Sequence, residues 1–410
     1  MRFFILIQLL IIGQIALPQT AETYFEKGNE SLKSGNYLNA IEYFSNALHK
    51  DSKVAIFYIK RGIAYDSLKK FKEAIIDFSK AVKLTPTDQL LFFIRGIAYD
   101  SLKKYNDALY DYKRTTDLDP DNDSAYYNLG RMYYHINKKA DAITNFNKAI
   151  ALNPRNYKAY NYRGFIYYEM NKNKQAFTDY CLALNINPEY GIAYCNRGVI
   201  YYNMDKIDSA IIDFAKAIKY KKNYLDAYLD RANSYSRLDS FGLALPDYNA
   251  YIHLNSNNAK SYLWRGIAFY HLGKPDSAAT DIKQSIKLGS DSVRSDAYQW
   301  LGIIYFQQSE YDKSIYAFNK SLKKNKFNSN TYSWRGLAKY NLKNLDDAIS
   351  DYTKAIELNN KDGATYVNRS TAYYDLKEYE KAYKDYCAAG ALQYPLNKEY
   401  FFKLKNLAGK

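Results

Sequence analysis

Cysteine, histidine and proline are all scarce in this chain, and each scarcity closes off a class of function. The three cysteines, Cys181, Cys195 and Cys387, are odd in number and scattered, with no Cys-x-x-Cys. Neither a disulfide framework nor a zinc site follows from them. The four histidines, His49, His135, His253 and His271, sit in no His-x-x-x-His or His-Glu-x-x-His context, so no metal and no other cofactor is expected. Only 8 prolines occur and long Gly/Ser linkers are absent, so a length that suits two or three globular domains shows no joints between them. A Gly-rich phosphate loop, a Gly-x-Ser-x-Gly elbow and paired catalytic groups are also missing, and the chain does not read as an enzyme.

Long apolar runs are missing too, with one exception. Arg2 precedes an apolar stretch from Phe3 to Leu17, broken by Gln8, Gly13 and Gln14. That is short of the roughly 20 residues a membrane-spanning helix needs. With its basic start and the turn at Pro18, residues 1–20 have the pattern of a secretory signal peptide. Export to a periplasm or the exterior is the expectation, and an uncleaved membrane anchor is the alternative. No cysteine lies nearby to accept a lipid, and no second apolar segment follows. No membrane span is expected once the signal is removed.

What the chain has in excess is tyrosine, 46 residues of it, and a period. Gly28, Gly62, Gly96, Gly130, Gly164 and Gly198 are each 34 residues apart. Ala232 and Gly266 continue the step, and after a two-residue insertion Gly302, Gly336 and Ser370 resume it. Eleven repeats result: 21–54, 55–88, 89–122, 123–156, 157–190, 191–224, 225–258, 259–292, 295–328, 329–362 and 363–396. With the glycine as position 8, position 4 is tyrosine in ten repeats and Phe92 in the other. Position 20 is alanine in ten, with Ser314 the exception, and position 24 is aromatic except at Ile282. Prolines close repeats two to five at Pro86, Pro120, Pro154 and Pro188.

Positions 4, 8 and 11 share one face of a helix, as do 20, 24 and 27 of a second. Small residues at 8 and 20 let the two axes approach, and the aromatics fill the space around the crossing. This 34-residue pattern of aromatic, small, aromatic, alanine, aromatic and proline resembles the tetratricopeptide-repeat family. The resemblance implies an all-α, right-handed superhelical solenoid of helix-turn-helix repeats, in which neighbours share a continuous core. Residues 397–410, with Tyr400, Phe401, Phe402, Leu404 and Leu407, are expected to form a capping helix over the open end. Pro246 inside the second helix of repeat seven is expected to kink or delay it. The least regular stretch should therefore run from repeat seven to repeat nine.

Two positions covary within the chain. Position 7 is Arg61, Arg95, Arg163, Arg197, Arg231, Arg265, Arg335 and Arg369 in eight repeats. Position 23 is Asp77, Asp111, Asp179, Asp213, Asp247, Asp281, Asp351 and Asp385 in the same eight. Repeats one, four and nine carry Lys27, Leu129 and Leu301 instead, with Tyr43, Asn145 and Ala317. Matching each arginine to the preceding repeat's aspartate would work in only five cases. The pairs are expected to be structural and to join the two helices of one hairpin.

The net charge of +15 raises a polyanion as a partner. The resemblance implies that first helices line a concave groove through positions 2, 5, 9, 12 and 13. There Lys33, Arg131, Lys158, Arg237 and Lys260 meet Glu22, Asp66, Asp100, Glu169, Asp226, Asp296 and Asp375, so the groove is near neutral. The surplus lysine falls in turns and second helices, as Lys69–Lys70, Lys103–Lys104, Lys221–Lys222 and Lys323–Lys324, which disfavours nucleic acid. Of the family's carboxylate clamp for acidic chaperone tails, only Asn29 is matched among Phe25, Asn29, Lys60, Leu90 and Ile94. That partner is not carried over.

A non-catalytic scaffold or adaptor holding a protein or peptide segment is the expected function. The alternatives are an anionic polymer bound by the lysine-rich outside, or a structural spacer. Candidate groove residues are a position-12 ladder of Tyr134, Tyr168, Tyr202, Tyr270, Phe306, Tyr340 and Tyr374. Beside it stand Phe165, Val199 and Ile267 at position 9, with Asn161 and Asn203 available to an extended backbone.

Overall fold

The computed structural model describes residues 20–410. Among them are 23 α-helices and no strand. The expected leader lies outside the described residues except for Thr20, whose Oγ1 accepts the Thr23 amide at 3.2 Å and so caps the first helix. No described helix is long and apolar enough to cross a membrane.

Each repeat folds as a first helix, a tight turn and a second helix, as in Ala55–Ser67 followed by Phe71–Leu84. The turn is made by one residue at position 15 in the left-handed region, which favours glycine because other side chains crowd the backbone there. Gly35 and Gly273 occupy it in repeats one and eight, with φ of 76° and 69°. Lysine, asparagine, aspartate or serine takes the same conformation in the other nine repeats. The amide of position 16 then bonds back to the carbonyl of position 11, as Lys70 N to Tyr65 O at 2.9 Å.

The aromatic at position 24 lies directly over the glycine at position 8. A Cβ added at Gly28, Gly62 or Gly302 would come within 2.5 Å of the Phe44, Phe78 or Phe318 ring. Those rings are buried, so the missing side chain is what lets the ring lie down on the first helix. Where serine replaces a small residue, its hydroxyl spans the crossing. Ser314 at position 20 donates to the Gly302 carbonyl at 2.8 Å, and Ser370 at position 8 to the Ala382 carbonyl at 2.7 Å.

The helices divide into two compact units, one ending at Ala193 and one running from Tyr194 to Lys410. Within each, every second helix packs on its own first helix and on the first helix of the next repeat. The second unit ends in the helix Lys398–Leu407, whose fully buried Leu404 sits with Ala382 and Tyr386. The Tyr386 hydroxyl accepts the Asn397 amide at 2.9 Å, fixing where that helix begins.

One irregularity differs from the sequence reading. Pro246 does not delay its helix, which runs unbroken from Phe241 to Leu254 and matches its counterparts at 14 residues. Five buried residues from Ala244 to Ile252 hold it in place, and packing of that kind outweighs one lost backbone bond. The insertion lies at the start of a helix. The first helix of repeat nine starts ahead of residue 295 and runs 17 residues, Asp291–Gln307, where its neighbours have 13. Val293 buries part of that extra turn, and Arg294 Nε donates to the Ile286 carbonyl at 3.0 Å.

Gly62→Val should drive a branched side chain into the Phe78 ring and cost about 1–3 kcal/mol, read as a lower urea midpoint. The same test on Gly242, where an added Cβ meets nothing within 4 Å, should show no such loss. Equal effects at both positions would refute the ring-over-glycine account.

Candidate partner-binding face

The covarying ions meet inside their own hairpins. In all eight repeats Nε and Nη2 of the arginine donate to the two carboxylate oxygens of the aspartate, at 2.5–2.9 Å. The aspartates are at most 6% exposed. A planar guanidinium fork on a carboxylate is the strong, geometrically specific form of this bond. Asp111 is so deeply buried that desolvation raises its carboxyl above the usual range in spite of Arg95.

The third nitrogen reaches a residue that the sequence reading missed. Nη1 donates to position 25 of the preceding repeat: Ser45, Ser79, Asn147, Asn249, Asn319 and Thr353, at 2.6–3.2 Å. These six arginines therefore tie their hairpins to the one before. Where the next repeat has leucine at position 7, position 25 is lysine. Lys113 precedes Leu129 and lies 5.8 Å from the Tyr133 ring, and Lys283 precedes Leu301 and lies 5.9 Å from the Tyr305 ring. In repeat nine the missing pair leaves a cleft of about 320 Å³ between Tyr298, Leu301, Tyr305, Tyr316 and Ala317.

The position-12 ladder is half-buried throughout, and its rings are turned to their own chain. In the first unit, Tyr134 donates its hydroxyl to Glu169 at 3.1 Å and meets the Phe165 ring edge-on at 5.9 Å. Asn161 is buried and Tyr168 half-buried. Close by, Arg131 bridges to Asp100 at 3.0 Å, and Lys139 to Glu169 at 3.2 Å. In the second unit, Tyr270 packs on Trp300 and Phe306 on Trp334, at 5.5 and 5.4 Å. Tyr340 donates to Asp375 at 2.7 Å, and burial with that carboxylate pushes its hydroxyl up to about 12. Tyr374 is not open to a partner as expected. It packs on Tyr400 at 5.7 Å and beneath Lys403 at 5.1 Å, both from the terminal helix.

Tyr202, Val199, Asn203 and Ile267 come together at a concavity within the second unit. A cleft of about 220 Å³ is lined by Val199, Tyr202, Asn203, Phe214, Asp230 and Asn233. Tyr202 and Asn233 also border a second, about 490 Å³, with Ser236, Arg237, Trp264, Ile267 and His271. The Tyr248 hydroxyl donates to Asn233 Oδ1 and meets Ser236 Oγ, each at 3.0 Å, which fixes the floor. Arg237 is held at the rim by the Tyr202 carbonyl at 3.2 Å and Asp205 at 3.0 Å. His271 stacks on Phe241 at 4.4 Å. Sequence spacing located Val199, Tyr202, Asn203 and Ile267; Asp230, Asn233 and Trp264 were absent from the expected set. Among the described residues no cluster of three or more His, Cys, Asp or Glu side chains stands ready for a metal ion.

Family models describing the TPR repeat match residues 96–137, 130–171 and 164–205. Two tetratricopeptide-repeat models match 25–89, 229–293 and 273–329, and 192–224 and 329–362. The chain belongs to the tetratricopeptide-repeat family. No curated protein matches its sequence. Among solved structures it is similar to the Cut9–Hcn1 hetero-tetramer of the APC/C, at 14% identity over 98% of this chain and 97% of that one, with a TM-score of 0.48. PilF of Pseudomonas aeruginosa is 21% identical over 49% of this chain and 93% of its own, at 0.46. A MamA structure is 24% identical over 42% and 94%, at 0.39. Likeness at this level says nothing about partner or activity. Members of the family serve as protein-interaction scaffolds, and this chain carries that architecture.

Arg265→Ala should cost about 3–5 kcal/mol, because Asp281 is left charged and buried without its partner. Asn249→Ala should cost only about 0.5–1.5 kcal/mol, the range of a single hydrogen bond. A double-mutant cycle of Arg265→Ala with Asp281→Ala, followed by urea unfolding, should show strong coupling. Additive losses would rule the clamp out as a stabilising unit.

Proposed function

We propose that this protein is a non-catalytic scaffold that holds an extended segment of a partner protein against its first helices, at repeats six to eight. The observation that carries the reading is the pair of adjoining clefts sharing Tyr202 and Asn233. There the ladder is interrupted by Ser236, and the floor is half apolar and half hydrogen-bonding. Elsewhere in the second unit Trp300, Trp334 or Tyr400 fills the space beside the ladder ring. A tyrosine and a tryptophan flanking such a gap offer large contact area at small entropic cost.

Affinity capture with the full chain, identified by mass spectrometry, supplies the partner. Tyr202→Ala combined with Trp264→Ala should weaken it by at least about 2 kcal/mol, roughly thirtyfold, as loss of buried aromatic anchors does. Circular dichroism controls for folding. Unchanged affinity would move the site away from this face.

Export belongs to the same proposal, supported by the Arg2-led apolar stretch ending at Pro18. Amino-terminal sequencing of protein recovered from its native cell should begin within a few residues of Thr20. Recovery of intact Met1 would replace export with a retained segment.

A further inference from the structure

The fully buried carboxylates in this chain are all met by a cation, whereas the half-buried carboxylate of Asp230 is not. Asp77, Asp111, Asp179, Asp213, Asp247, Asp281, Asp351 and Asp385 are each buried, and each is met by an arginine fork. Asp230 lines the smaller cleft, in the first helix of repeat seven, Leu225–Arg237. Among the described residues no hydrogen bond or ion pair reaches its carboxylate; only its backbone carbonyl is engaged, by Ser234 Oγ at 2.7 Å. Lys221 stands on the Tyr224 ring at 4.3 Å but makes no ion pair with Asp230. Asp226 stands one turn earlier on the same helix, while Cys195 and Tyr224 face it from the neighbouring repeat. Burial, with Asp226 adding to it, pushes the Asp230 carboxyl up to about 7. A carboxylate partly withdrawn from water is disfavoured unless an opposite charge meets it, and among the described residues none pairs with Asp230.

We propose that Asp230 receives the side-chain ammonium of a lysine in the partner segment, so that the partner completes an ion pair the fold leaves half made. The inference rests on the reading above, that this face holds a peptide. The cleft suits that group in two ways. Val199, Phe214 and the Tyr202 ring line its walls, and a lysine stem buries its methylenes along such apolar surface while its charge meets the carboxylate. Arginine fits less well, since a guanidinium binds by stacking its plane as well as by pairing. The Tyr202 ring is already covered by Arg237, whose Cζ lies 5.0 Å from its centroid. A bare metal ion is a poor candidate, because Asp226 and Asp230 have no third ligand of the right type beside them.

The test is selection from a random heptapeptide library displayed on phage, panned in parallel on the full chain and on its Asp230→Asn variant. Asp230→Asn removes an unpaired, half-buried charge, and circular dichroism should show an unchanged fold. Peptides won by the native chain should carry lysine at one fixed position, and the variant should lose that preference. Replacing this lysine by norleucine should weaken binding about tenfold or more for the native chain, the loss of one charge-assisted contact. For the variant the change should stay below about twofold. Peptides with no fixed lysine, with arginine in its place, or selected equally by both proteins would overturn the assignment and leave the groove reading standing. Failure of either protein to select any peptide would overturn both.

Discussion

The fold depends on a bulky side chain, in most repeats a ring, lying flat on a small residue. At positions 24 and 8 the two helices of a hairpin approach so closely that a single Cβ would collide with the ring above it. The contact sets the distance between the helices, and the distance puts position 7 of one opposite position 23 of the other. Any small residue serves, since the fork also forms beside Ala232, as Arg231 with Asp247, and beside Ser370, as Arg369 with Asp385. The ion pair is thus a consequence of the apolar crossing rather than its cause. Repeats four and nine make the point, because they keep Gly130 beneath Phe146 and Gly302 beneath Phe318 while lacking the arginine–aspartate pair.

The same geometry decides which surface is left for a partner. Ladder rings at position 12 point along the row of first helices, so the next repeat can cover them whenever it presents a bulky residue. Trp300 and Trp334 do so. Repeat seven presents Asp230 and Asn233 instead, and the row opens there. Small polar substitutions on an aromatic face have made a cavity with a charged group in its lining.

The fold was legible in the sequence because a 34-residue step repeats one pattern eleven times. The arginine–aspartate pairs were legible because both members drop out of the same repeats. The acceptors at position 25 carried a signal of equal quality, with lysine ahead of Leu129 and Leu301 and a polar acceptor ahead of six of the arginines. That signal runs between neighbouring repeats, whereas covariation was sought within one. Asp230 had no signal of this kind. It occurs once, and what sets it apart is the want of a partner in three dimensions, which no spacing records. The ladder was legible as a row of aromatics but not as a closed or open one, since that depends on how the next repeat's side chains fall.

The bond from Nη1 to position 25 also bears on how the repeats melt. In an array of this type stability is a sum of unit terms and nearest-neighbour terms, and this bond belongs to the second kind. It is unevenly distributed. Lys113 and Lys283 give no acceptor to repeats four and nine, and Ala215 gives none to repeat seven. Those junctions keep their apolar contact but lose the polar latch, so cooperativity should be weakest there. Partial unfolding would then stop and start at those seams, and repeat seven, which holds the unpaired carboxylate, begins at one of them.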